Sequence, residues 1–151
     1  MKRNCILVAA IAFTLCASHA SDIADPTDVH RRLDRMIDSA ERCLCNSAYL
    51  GINHLGKGAD GDYAEYYGLE VVNLLQSDTS SGAFITYLLN SKLEHRKYID
   101  RAIALEVCIV SDTNQKEYLE SMLGRYDRVL SASKRRTLVD RWVKLIKSID
   151  K

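Results

Sequence analysis

The chain has 151 residues, with 21 Lys and Arg against 20 Asp and Glu and a formal net charge of +1. So even a balance argues against nucleic acid or an anionic membrane as the main partner, because both select for a basic excess. One proline and seven glycines leave little of the turn chemistry a β-sandwich needs.

The first twenty residues read as a cleaved secretory signal. Met1-Lys2-Arg3-Asn4 is a short basic stretch, residues 5–16 are almost unbroken apolar, and Ser18 and Ala20 are the small residues a signal peptidase reads. About a dozen apolar residues cannot cross a roughly 30 Å hydrocarbon core as a helix. Residues 13–15, ahead of Cys16, lack the small side chains that precede a lipidated cysteine. Cleavage after Ala20 leaves residues 21–151 as one domain in an oxidising compartment. Loss of Lys2 and Arg3 also tips its charge slightly acidic.

Asp25 and Pro26 form a helix start, a cap followed by a residue whose missing N–H costs nothing in the first turn. Val29, Leu33, Met36, Ile37, Ala40, Leu44, Ala48, Gly51, Ile52 and Leu55 then recur at three- and four-residue steps, which predicts one long helix over 26–55. Gly56, Gly58 and Gly61 break it with a loop. Asp62 and Glu65 form a capping box for a helix over 63–76, with Tyr63, Tyr67, Val71, Leu74 and Leu75 inward. A polar break at 77–82, with Ser80 or Ser81 as cap, leads into a helix over 83–91. Residues 93–110 read as helix despite the β-branched run from Ile103 to Val110, because no partner strand is evident. The break at 111–113 precedes a helix from Tyr118 to Leu130 that tolerates Gly124 at a cost of about 1 kcal/mol. A last helix covers 134–149, with Leu138, Trp142, Leu145, Ile146 and Ile149 inward. The fold class is all-α, with five to six helices in a single domain.

The chemistry-bearing residues are few. Beyond the signal there are three cysteines, Cys43, Cys45 and Cys108, enough for one bridge. On a continuous helix Cys43 and Cys45 sit about 200° apart and cannot easily join each other. Cys108 pairs with one of them, or all three stay reduced and buried. Cys43 lies about 80° from the centre of the apolar stripe and Cys45 about 120°, which makes Cys43–Cys108 the expected disulfide and Cys45 a thiol. His30, His54 and His95 show no metal-ligand spacing, so no metal and no cofactor are expected. Cys45 and His54 would stand about 13 Å apart along one helix, too far for proton transfer. Glu70 and Glu106 fall beside apolar positions, and are the acids that a small wall hydrolase with paired carboxylates would use. No catalytic residue is assigned, and the chain is expected not to be an enzyme.

One set of residues resembles a family. Cys43-Leu44-Cys45-Asn46-Ser47-Ala48-Tyr49 is similar to the cysteine–aliphatic–small–tyrosine segment of periplasmic amidase immunity proteins, which accompany type VI secretion systems. Cys108-Ile109-Val110-Ser111-Asp112, followed by Glu117-Tyr118-Leu119, is similar to the family's second cysteine and capped helix. The resemblance covers these two segments and leaves the loops unmatched. The chain departs from it by the additional Cys45 and by a full helix over 134–149. It implies a periplasmic, non-enzymatic protein that binds a cognate peptidoglycan amidase and blocks its groove, often as a homodimer. The alternatives are the wall hydrolase and a periplasmic helical adaptor or chaperone.

A partner surface can be placed from the residues themselves. The glycines of 56–62 let that loop extend, Lys57, Asp60 and Asp62 offer charge, and Tyr66 stands a turn away as an aromatic anchor. These four are the expected partner-binding residues.

Overall fold

Apolar side chains at three- and four-residue steps lead to a molecule built from helices. The computed structural model describes residues 26–110, 114–126 and 130–149, and among these there are seven α-helices and no strand. They are α1 (Pro26–Cys43), α2 (Asn46–Leu55), α3 (Gly61–Gln76), α4 (Ser81–Asn90), α5 (Lys97–Val110), α6 (Gln115–Gly124) and α7 (Ala132–Ile149). Short 3-10 turns occupy Gly56–Gly58 and Leu93–His95. The expected signal at 1–20, the Asp25 cap and the break at 111–113 lie outside the described residues. No described helix is long and apolar enough to cross a membrane.

Helix α5 is the axis of the packing. Its buried residues Ile99, Asp100, Ala102, Ile103, Ala104 and Val107 cover more than one stripe, as a helix enclosed on several sides requires. It lies against α2 and α3 on one side and against α6 and α7 on the other. Helix α1 covers α2 and α3 from outside, and α4 closes against α2 and α3. The run from Ile103 to Val110 is helical, as expected, and only its end is out of the core, with Ile109 and Val110 exposed.

The long helix expected over 26–55 is two. Helix α1 stops at Cys43, the Leu44 N–H closes its last turn on Ala40 O at 2.9 Å, and Leu44 itself turns into the left-handed region at φ +48°. Glycine usually takes that position, since a side chain there costs roughly 1–2 kcal/mol. The corner folds α2 back on α1, so closely that Gly51 faces the Met36 thioether. Both halves keep their inward faces: Leu33, Ile37 and Ala40 on α1, and Ala48, Tyr49 and Ile52 on α2. Leu44, counted as inward, is instead 42% exposed.

Three other boundaries move. The segment over 93–110 is a 3-10 turn followed by α5. The helix expected to run through Gly124 to Leu130 ends at Gly124, and beyond it Tyr126 Oη donates to Leu75 O at 2.6 Å. Helix α3 starts at Gly61, so Asp60 is its N-cap and Asp62 lies in its first turn. The Asp62–Glu65 capping box is replaced by a cap with no side-chain hydrogen bond. Before α4, Ser77 Oγ accepts from the N–H groups of Thr79 and Ser80, while the Ser80 hydroxyl is buried without a partner.

Candidate binding surface

The segment between α2 and α3 is drawn in rather than extended. Gly56 packs flat against the Tyr67 ring, and a Cβ there would fall 2.5 Å from Tyr67 Cζ, so only glycine admits that approach. Tyr67 is itself fixed, buried with its hydroxyl donating to Ile52 O at 3.1 Å. Burial holds its phenol well above the ordinary tyrosine range. Leu55 and Ala59 pack on the core, and Gly61 takes the left-handed φ of +46° that turns the chain into α3. What reaches solvent from this turn is the side chains of Lys57, Asp60 and Asp62.

Tyr66 does not stand free beside them. It is half-buried and leans back on α1, where its hydroxyl donates to Asp34 Oδ1 at 2.5 Å and its ring lies 4.6 Å from that of His30. The hydrogen bond to Asp34, first, with burial second, pushes its phenol up to about 12. The His30 ring also stacks on Tyr63 at 5.5 Å, and the buried Tyr63 hydroxyl has no hydrogen-bond partner. The structure therefore brings Lys57, Asp60 and Asp62 together on one turn and places Tyr66 in an aromatic seam between α1 and α3.

The expected Cys43–Cys108 bridge is corrected. Cys43 is joined to Cys45, with their Cα atoms 5.2 Å apart, and Cys108 stands outside the bridge, half-buried against the core. The expectation assumed an unbroken helix, on which the two thiols diverge. With the helix ended at Cys43 and Leu44 in the left-handed region, Cys45 swings round to extended backbone at the N-cap of α2 and meets its neighbour.

The two glutamates are not a pair. The Glu106 side chain lies over Gly68, with Oε1 where a Gly68 Cβ would be, and Glu65 is the acid that acts on it. Glu70 is two residues past Gly68, roughly 200° round the helix, and feels Asp34 and Glu41. Burial, ahead of these neighbouring acids, raises both carboxyls above the usual range.

The acid that is buried is Asp100, at 1% exposure. Its Oδ1 accepts from Trp142 Nε1 at 2.9 Å and lies 3.6 Å from Arg141 Nη1, while its Oδ2 pairs with Arg96. Arg141 Nη1 also donates to Leu88 O at 2.9 Å, and Arg96 Nε to Ser91 O at 3.1 Å. Burial lowers the Arg141 guanidinium, and Asp100 partly restores it. Beside this joint Asn53 is buried. Its Nδ2 donates to Glu94 O, and its Oδ1 accepts the Tyr98 N–H. These bonds tie the end of α4 to α7, and the chain between α4 and α5 to α2 and α5. Sequence reasoning passed over Asp100, although an aspartate beside the inward residues Ile99 and Ile103, four positions after an arginine, is a signal for a buried pair.

An open groove of about 310 Å³ runs from the start of α2 past the end of α4, lined by polar side chains such as Asn46, Ser47, Asn90 and His95 around a more apolar strip that includes Leu50 and Tyr87. It begins one residue past the disulfide. Among the described residues no three His, Cys, Asp or Glu side chains gather closely enough to hold a metal ion. Comparison with known protein families, with curated proteins and with solved structures finds no match to this chain.

Proposed function

We propose that the protein is an exported, non-catalytic inhibitor of the immunity class, which binds a secreted cell-wall amidase and covers its substrate groove. One observation carries the reading. The turn between α2 and α3 is held by the Gly56–Tyr67 contact while Lys57, Asp60 and Asp62 point to solvent. A charged turn already fixed in shape gives up little conformational freedom on binding, so more of its contact energy appears as affinity. The separation of Glu70 from Glu106 disfavours the paired-carboxylate hydrolase.

The reading requires a secreted wall amidase encoded in a neighbouring reading frame, and the test is calorimetric titration of the protein against that amidase. Binding is expected, and the triple variant Lys57→Ala, Asp60→Ala, Asp62→Ala should weaken it at least about tenfold, near 1.4 kcal/mol. Absence of binding to that amidase would refute the function. Unchanged affinity in a folded triple variant would refute the turn as the contact.

A further inference from the structure

The Cys43–Cys45 bridge is poorly suited to holding the fold together. It spans a single intervening residue, so it restrains almost none of the unfolded chain, and it keeps Leu44 in a backbone region that a leucine avoids. Its placement suits chemistry instead. Cys43 ends α1 and is exposed, so an incoming sulfur can reach it. Cys45 is the N-cap of α2, a ten-residue helix whose first N–H groups receive no side-chain cap. Unpaired N–H groups and the positive end of the helix dipole stabilise a thiolate. Ser47 Oγ lies 3.3 Å from Cys45 Sγ and can donate to it. The two sulfurs are thus unequal, one accessible and the other a good leaving group. The open groove that starts at Asn46 and Ser47, passes Leu50 and Tyr87 and ends at Lys92 and His95 gives a thiol-bearing chain somewhere to lie.

We infer that the Cys43–Cys45 bridge is a thiol–disulfide exchange centre, with Cys43 the sulfur attacked and Cys45 the sulfur released. A substrate thiolate attacks Cys43 Sγ, the bridge breaks, and Cys45 leaves with the bonding electron pair, receiving a hydrogen bond from Ser47. A second substrate thiolate attacks the substrate sulfur of the mixed disulfide and releases Cys43 as thiolate. Two substrate thiols become one disulfide, and the bridge takes up two electrons and becomes two thiols. A disulfide-bearing protein restores the bridge by the reverse steps. The substrate is a thiol, carried either by a small molecule or by a peptide lying in the groove. This chemistry is separate from the binding turn, whose test reads affinity and not thiol content.

The experiment exposes the full protein to reduced glutathione in one arm and to a reduced two-cysteine peptide in the other. Acid quenching and peptide mass mapping follow, with circular dichroism recorded throughout. The bridge should open in both arms with the helical signal kept, and the early mixed disulfide should sit on Cys43. Faster opening by the peptide, thiol for thiol, identifies a groove-bound chain as the donor, and faster opening by glutathione identifies a small thiol. Ser47→Ala should slow opening by about threefold to tenfold, the loss of one hydrogen bond to the leaving thiolate. A bridge that survives both arms in folded protein would overturn the proposal. So would adducts carried mainly on Cys45.

Discussion

Two glycines in tight contacts are opposed in what they tolerate. At Gly56 a new methyl meets the Tyr67 ring, which is buried and hydrogen-bonded and has nowhere to go. Gly56→Ala should lower stability by about 1–3 kcal/mol in urea denaturation, the usual cost of overpacking. At Gly68 the obstacle is the far end of Glu106, which can rotate away, and alanine improves the helix by about 1 kcal/mol. Gly68→Ala should therefore stay within about 1 kcal/mol of the parent. Asp100 carries the largest single-residue effect. Asp100→Ala strips the Trp142 indole of its acceptor and leaves Arg96 and Arg141 as part-buried cations without their acid. The same denaturation should record a loss of about 3–5 kcal/mol. Apolar residues announce their burial by type, and Trp142, Phe84 and Tyr67 are inward as their spacing indicates. A buried acid announces nothing until its partners are known, and two of the partners of Asp100 lie more than forty positions further along the chain.

At the scale of an element, the sequence carries helix content better than helix ends. Apolar steps continue through Leu44 without interruption, because α1 and α2 both turn the same stripe inward on either side of the corner. The corner is a left-handed leucine with a bridge beside it, and neither leaves a periodic trace. The disulfide is hidden for the same reason, since on an unbroken helix Cys43 and Cys45 diverge and only the corner brings them together. The turn between α2 and α3 is legible as a glycine-rich break with exposed charge, while the hold of Asp34 and His30 on Tyr66 is not, since it joins α1 to α3. Where α3 meets α5 the close packing has a pH signature. Burial first and Glu65 second raise the Glu106 carboxyl in the folded state. The folded protein then binds that proton more readily than the unfolded chain, so stability falls as pH rises from the ordinary to the raised value. Glu106→Gln should raise the urea midpoint at neutral pH, and the gain should fade as the titration approaches about pH 4. A midpoint shift of equal size at both ends would mean the effect is packing and not charge.

Across the whole molecule, α5 is enclosed by helices from both ends of the described chain, and the joint at Asp100 is where those ends meet. Arg96 is available to Asp100 at once, four residues away, whereas Arg141 and Trp142 arrive only with α7. A chain ending before Ala132 should keep helical circular dichroism yet lose hydrogen-exchange protection in α5, because Asp100 would lose Trp142 and Arg141 and the face of α5 packed on α7 would meet water. Protection at parental levels in that truncated chain would show that the earlier helices consolidate alone. The joint therefore acts in time as well as in space. Until α7 docks, the carboxylate at the future centre has Arg96 as its ion partner but neither Arg141 nor the Trp142 indole, so closure of the core is expected among the later events of folding.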